Sequence, residues 1–261
     1  MQYIDCKKYA NEILEQVKEV PNKKELRILT VGNNAASLSY VRGKIKDCEY
    51  CGVPYRHVKI DDGDIARIDL DNEIINANMD ENVGGVIVQM PLPKNIDIER
   101  VINQIRFDKD VDGFKSYSPF YPCTPEGIMY ILNKELGDLT GKTALVIGRG
   151  KLVGEPIAKM LLEADCTVTI AHSKTKNLNY MLSNPWDIII SAVGQPNLVD
   201  LYTCRADVVI DAGISRDENG KLVGDCCNFD ETRFHDMKVT SVPGGVGLMT
   251  RAMLMKHMAR I

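Results

Sequence analysis

Short apolar runs alternate with longer amphipathic stretches along nearly the whole chain. Residues 26–31 are apolar and β-branched and stop at Gly32, which predicts a buried strand. A proline-free stretch over 37–51 predicts a helix with Ser37 as its N-cap and Gly52 at its end. Residues 53–60 read as a second strand, and 65–79 have apolar residues near helical spacing. A third strand over 85–90 is cut off by Pro91 and Pro93, and a helix over 96–106 follows. This βαβαβ order favours a parallel sheet with helices on its faces. Residues 108–125 break the pattern with Asp110, Asp112, Gly113, Pro119, Pro122 and Pro125, too rigid and polar for an element interior. After a helix over 126–136 a second α/β series starts. Its strands lie at 143–147, 167–171, 187–192, 208–211 and near 239, with a helix over 153–164 between the first two. A last helical run covers 249–258. The pattern predicts an α/β protein of two α/β domains, 1–118 and 119–246, with the C-terminal helix 247–261 packing back on the first.

Composition narrows the function classes. A chain of 261 residues, 44% hydrophobic and 26% charged, can bury a core without a metal or disulfide staple. The net charge of −4 carries no basic excess, so neither a nucleic-acid nor an anionic-membrane partner is expected. No run approaches the ~20 apolar residues that span a bilayer. The first residues, Met1-Gln2-Tyr3-Ile4-Asp5, lack the pattern of a secretory signal, so the expected address is the cytoplasm. The eight cysteines are then expected as thiols. Cys48 and Cys51 form a CxxC, but no second such pair accompanies them, and no metal is expected.

The strand over 143–147 runs into Gly148-Arg149-Gly150-Lys151-Leu152-Val153-Gly154 and then a helix. Glycines there allow a tight turn and close approach of a pyrophosphate, which the helix N-terminus would receive. The spacing is GxGxxxG, and a tight turn without any ligand would look the same; the strand–turn–helix context favours a Rossmann-like dinucleotide site. An NAD site usually places an acid at the end of the following strand, about 20 residues on. Here that strand ends in Ala171-His172-Ser173-Lys174-Thr175. Hydroxyls and a cation, with Arg149 in the turn, suit a 2′-phosphate, so NADP is expected over NAD. Val193-Gly194 and Gly213-Ile214 lie in further strand-to-glycine turns at the edge where such cofactors sit.

Elsewhere Tyr40 and Lys44, spaced i and i+4, project from one helix face. Such a pair alone is an ordinary surface feature. It also matches the YxxxK dyad of short-chain dehydrogenases, but there the glycine-rich turn precedes the dyad, whereas here it follows in the other domain. Gln89 ends a strand at the functional edge. Asp112, which could equally cap an Asp-Gly turn, lies in the irregular interdomain loop. Ser241-Val242-Pro243-Gly244-Gly245-Val246-Gly247 forms a second glycine-rich loop before the final helix, where a plain connector would serve as well.

Several motifs occur in order. They are Tyr40-Val41-x-x-Lys44, Val88-Gln89-Met90-Pro91-Leu92-Pro93, Asp110-Val111-Asp112-Gly113-Phe114, Pro122-Cys123-Thr124-Pro125, Gly148-Arg149, Val153-Gly154-x-Pro156, His172-Ser173-Lys174-Thr175 and Pro243-Gly244-Gly245-Val246-Gly247-x-Met249-Thr250. Together they resemble the bifunctional methylenetetrahydrofolate dehydrogenase/methenyltetrahydrofolate cyclohydrolase family from about residue 25 onward. The resemblance implies a folate cleft between the domains, a homodimer, and two reactions: oxidation of 5,10-methylenetetrahydrofolate with NADP, then hydrolysis of the methenyl product to 10-formyltetrahydrofolate. It implies catalytic roles for Lys44, Tyr40, Gln89 and Asp112. Folate contacts fall to Tyr40, Val88, Gln89, Met90, Asp112, Pro243, Gly244, Gly245, Gly247 and Thr250. Cofactor contacts fall to Gly148, Arg149, Gly150, Val153, Gly154, Ser173, Val193, Gly194 and Ile214. The chain departs from the family at Gly150, where serine is usual, at Leu248, where proline is usual, and in a short 115–121 segment. A monofunctional dehydrogenase, and a non-catalytic nucleotide-binding protein of the same fold, are the alternatives; an intact Tyr40/Lys44/Gln89/Asp112 set argues against both.

Overall fold

The computed structural model describes residues 1–229 and 236–261. The chain divides into two compact units, one of residues 11–123 with 251–261, the other of residues 1–10 with 124–250. The first ten residues, expected with the N-terminal domain, thus fall in the other unit.

The chain opens with β1 (Gln2–Tyr3) and α1 (Cys6–Lys18), ahead of the expected elements. Then come β2 (Glu25–Val31), α2 (Ala35–Cys51), β3 (Tyr55–Ile60), α3 (Ala66–Met79), β4 (Val83–Val88) and α4 (Ile98–Gln104). The three longer strands make a parallel sheet in the order β3-β2-β4, with Leu29 opposite both Val58 and Val88. All six residues of β4 are buried, as expected of a parallel strand covered on both faces. Leu29, Val31, Leu70, Ile74, Val86, Val88 and Val101 form the core between the sheet and α3 and α4.

Several boundaries differ from expectation. The N-cap of α2 is Asn34, not Ser37. The Asn34 side chain accepts from the N–H groups of Ala36 and Ser37, both at 3.0 Å, the bonding an N-cap provides. Ser37, one turn in, instead donates its hydroxyl to the Met90 carbonyl at 3.3 Å. At the other end Gly52, at φ +63°, closes the helix in the left-handed conformation. The third strand begins at Val83 and ends at Val88, so Gln89 and Met90 stand just beyond it.

The second unit contains α5 (Cys123–Leu136), β5 (Thr143–Ile147), α6 (Gly154–Glu163), β6 (Thr167–Ala171), α7 (Leu178–Ser183) and β7 (Trp186–Ser191). There follow β8 (Val199–Asp200), β9 (Ala206–Asp211), β10 (Ser215–Arg216), β11 (Leu222–Val223), β12 (Cys226–Cys227), β13 (Lys238–Val239) and α8 (Val246–Ala259). Helix α5 starts three residues earlier than expected, because Pro125 occupies its first turn, where a missing N–H costs nothing. Six strands form a parallel sheet in the order β1-β13-β9-β7-β5-β6. Its core includes Leu145, Ile147, Ile189, Leu201, Val209 and Val239. The edge strand is the N-terminus itself: Gln2 pairs with Lys238 and Tyr3 with Val239. No described helix is long and apolar enough to cross a membrane. All eight cysteines are free thiols, and all but Cys227 are buried. Among the described residues, no three His, Cys, Asp or Glu side chains group as metal ligands.

Candidate active site

In the first unit, α2 carries Tyr40 and Lys44 on one face. The Lys44 ammonium lies 5.4 Å from the centre of the Tyr40 ring, close enough for a cation–π contact. Lys44 is only 5% exposed, yet among the described residues it makes no hydrogen bond or salt bridge. A lysine packed this far into the protein with no acceptor to hold it is uncommon.

Gln89 follows β4, where its own N–H donates to the Leu29 carbonyl at 2.9 Å. Its side-chain amide donates to the Met90 carbonyl at 2.8 Å. The amide oxygen is buried and accepts nothing, so Gln89 does not hold Lys44. The Met90 carbonyl therefore takes two donors, from Gln89 and from Ser37 of α2, which ties the turn after β4 to the helix bearing Lys44.

Asp110 and Asp112 divide the work of the loop. Asp110 is buried and caps the turn: its carboxylate accepts from the N–H groups of Phe114, at 3.3 Å, and Lys115, at 2.9 Å. Its backbone pairs with Val86, laying the loop along β4. Asp112, the alternative candidate for a turn cap, makes no side-chain hydrogen bond among the described residues. Burial pushes its carboxyl above the usual range; the Lys44 charge pulls the other way, and Asp110 adds to the rise. The neighbouring cation in sequence, Lys109, is spent elsewhere: it donates to the carbonyls of Ala77, Asn78 and Asp80 at 2.6–3.0 Å. Gly113, at φ +73°, leaves no room for a side chain, since a Cβ there would press on the Tyr121 backbone.

In the second unit, the turn after β5 has the tightness expected of a phosphate-binding loop. Gly148 sits at φ +109°, and a Cβ on it would stand 2.5 Å from the Ala192 carbonyl oxygen. A Cβ on Gly154 would collide with the Gly148 carbonyl. Both positions need glycine for backbone contact. Gly150 does not: nothing lies within 4 Å of the position its Cβ would take. Val153 precedes α6 and supplies no side-chain cap; the Glu155 N–H donates to the Gly150 carbonyl at 3.1 Å and Pro156 has none to give, so the first turn closes back on the glycine-rich loop. Arg149 and Ser173 are exposed at the ends of β5 and β6. Val193 and Ile214 are exposed apolar residues, 46% and 56% accessible. Gly194 lies between their loops, the Ile214 carbonyl oxygen 3.2 Å from its Cβ position.

Of the folate-contact residues implied by the motifs, Tyr40, Val88, Gln89, Met90 and Asp112 share the first unit. Pro243, Gly244, Gly245, Gly247 and Thr250 belong to the second. There Gly245 abuts the Ser241 carbonyl, and the Thr250 hydroxyl bonds that of Thr124 at 2.9 Å. Sequence reasoning missed Ser37 as a tie to Met90, and it missed Asp225, whose carboxylate holds the turn containing Val193. The one signal for Asp225 was an acid following Gly224 beside two cysteines.

A six-stranded parallel sheet with a glycine-rich turn before α6 in one unit, and a smaller α/β unit carrying a buried lysine, define a two-domain enzyme of the nucleotide-dependent class. Comparison with known proteins specifies which. Residues 4–112 match the catalytic domain, and residues 122–261 the NAD(P)-binding domain, of tetrahydrofolate dehydrogenase/cyclohydrolase. The chain belongs to that family. The bifunctional protein FolD of Staphylococcus epidermidis is 42% identical over 265 residues, covering 97% of this chain and 92% of that protein. The crystal structure of the bifunctional FolD methylenetetrahydrofolate dehydrogenase/cyclohydrolase from Campylobacter jejuni superposes with a TM-score of 0.92 at 37% identity, covering 100% of this chain and 98% of that one. The Trypanosoma brucei methylenetetrahydrofolate dehydrogenase-cyclohydrolase, solved with NADP and an inhibitor, gives 0.91 at 31%, covering 98% and 95%.

Proposed function

We propose that the protein is a bifunctional enzyme of one-carbon folate metabolism. It oxidises 5,10-methylenetetrahydrofolate to the methenyl cation with NADP and hydrolyses that cation to 10-formyltetrahydrofolate. The observation that carries this reading is Lys44: a lysine 5% exposed, its ammonium beside an aromatic ring, that no acceptor among the described residues holds. A fold kept only for nucleotide binding has no use for it.

The turn from Gly148 to Gly154 fits a dinucleotide: its glycines admit close backbone approach, and the positive end of the α6 dipole faces the turn. Arg149 and Ser173 would hold a 2′-phosphate, and Val193 and Ile214 offer apolar faces to flat rings. When bound, NADP accepts the hydride, a step that asks the protein for orientation more than for acid–base chemistry. Hydrolysis asks for more. Water must lose a proton as it attacks the methenyl carbon, and the adduct must gain one as its C–N bond opens. Lys44 carries those protons. Tyr40 lies against the folate ring system, and the unpaired Gln89 oxygen accepts from the reacting groups. Asp112, whose carboxyl takes no donor among the described residues, accepts two hydrogen bonds from the amino-pyrimidine edge of the pterin.

Cytoplasmic residence and a homodimer complete the reading. The test is one spectrophotometric assay: methylenetetrahydrofolate with NADP⁺, following reduced nicotinamide and methenyl absorbance together. Nicotinamide reduction with transient or absent methenyl signal is expected. No reduction overturns the dehydrogenase; a methenyl signal that accumulates and decays only at the uncatalysed rate overturns the cyclohydrolase.

A further inference from the structure

The cofactor residues of the second unit sit on separate loops after β5, β7 and β9, and something must fix these loops in place. Two buried acids outside the motifs are arranged to do so. Asp225, between β11 and β12, is fully buried. Its Oδ2 accepts from the Ser191 hydroxyl at 2.6 Å and the Val193 N–H at 2.9 Å, and its Oδ1 from the Gln195 N–H at 2.7 Å. All three donors lie at the end of β7 or in the turn that carries Val193 and Gly194.

Asp211, the last residue of β9, does the same one strand over. Its Oδ1 accepts from the N–H groups of Gly213 and Asp225, both at 3.0 Å, and its Oδ2 from the Cys226 N–H at 2.9 Å. Its own N–H donates to the Thr240 hydroxyl at 2.8 Å, just ahead of the Pro243-Gly244-Gly245 loop. Two glycines make the arrangement reciprocal. A Cβ on Gly213 would land on the Asp225 carboxylate, and one on Gly224 on the Asp211 carboxylate. Neither acid has a salt-bridge partner among the described residues. Only a carboxylate offers acceptors on both oxygens, so the amide analogue could not satisfy the same donors.

We propose that Asp225, seated on Asp211, is a positioning residue for NADP: it holds the turn of Val193 and Gly194 in its binding conformation before the cofactor arrives. This rests on the assignment of that turn to cofactor binding made above. Preorganisation of this kind appears as affinity, because a loop left free must be ordered at the moment of binding.

The test uses the full-length protein with Asp225→Asn, which keeps the side chain's shape and places an N–H₂ against N–H donors. NADP⁺ affinity is read by calorimetry, and both activities by rate. The dissociation constant and KM for NADP⁺ should rise about tenfold or more, with kcat at saturating NADP⁺ held within about threefold. Hydrolysis of the methenyl compound uses no nicotinamide and should stay within about twofold. Should Asp225→Asn fail to fold, Ser191→Ala removes one donor and leaves both backbone bonds; a rise of about threefold in the NADP⁺ dissociation constant is then expected. Unchanged NADP⁺ affinity in the variant that folds overturns the proposal, as does an equal fall of both activities, the mark of general destabilisation. Failure of the wild type to bind NADP⁺ would instead overturn the assignment of the site.

Discussion

Lys44 and Asp112 are the two charged candidates of the first unit, and each can be probed by one substitution. Replacing Lys44 by Met keeps the length and apolar stem of the side chain and deletes the ammonium. Methenyl hydrolysis should fall by about 10²–10⁴-fold, the usual worth of a positioned proton carrier. The dehydrogenase rate should survive in part, because the hydride step needs no base. Hydrolysis near the wild-type rate would remove Lys44 from the mechanism. Asp112→Asn should separate stability from function. The Asp112 carboxyl is raised above its ordinary value, chiefly by burial, so the folded state holds its proton to higher pH than the unfolded state does. The cost of ionising it is absent below the ordinary carboxylate pKa, grows as pH rises through the folded value, and persists above it. At neutral pH the variant should therefore be more stable than wild type, by ~0.5–2 kcal/mol, with the gain fading in acid. Folate affinity should drop by about 2–3 kcal/mol, since an amide cannot accept two bonds from the same edge. Urea melts across pH and folate titrations measure the two effects separately.

At the scale of elements, the turns matter more than the helices and strands that they join. Gly150 borders open space, so Gly150→Ser adds a hydroxyl without strain. If that hydroxyl reaches the 2′-phosphate, the ratio of kcat/KM for NADP⁺ over NAD⁺ should rise about tenfold, worth about 1.4 kcal/mol; an unchanged ratio would place residue 150 away from the phosphate. Gly113→Ala meets the opposite situation. It combines a positive φ with a clash against the Tyr121 backbone, and should cost about 2–4 kcal/mol by denaturant melt. The strands and long helices were legible because periodicity survives in sequence: the elements expected from residue 26 on occur in that order, whereas the short α7 and the two-residue strands β8, β10, β11 and β12, too brief to show a period, were not expected. Boundaries were less legible. Asn34 rather than Ser37 caps α2, because capping depends on where the backbone turns extended, not on residue type alone. The catalytic candidates were visible through their motifs, whereas the bonds that hold them were not. No local pattern reveals that Ser37 reaches Met90, 53 positions away, or that Asp225 reaches Ser191, 34 positions away.

At the scale of the whole molecule, the most informative departure from the sequence reading is the N-terminus. A strand of two residues has no period to detect, and its pairing with β13 closes one edge of the larger sheet. The sulfur chemistry has a consequence of a different kind. Burial raises the thiols of Cys6, Cys48 and Cys204 to about 12 and that of Cys51 to about 11, so little thiolate exists at neutral pH. Only Cys227 is even partly exposed. Seven of the eight sulfurs are therefore silent until the chain opens, and they are distributed between the units: Cys48, Cys51 and Cys123 in one, Cys6, Cys166, Cys204 and Cys226 in the other. Pulsed alkylation followed by peptide mass mapping would time the opening of each unit separately. Added NADP⁺ should slow the labelling of Cys166, Cys204 and Cys226 more than that of Cys48, Cys51 and Cys123, since a ligand stabilises the state of the unit that binds it. The protein thus carries a built-in clock, readable without any engineered label, for where its nucleotide is felt.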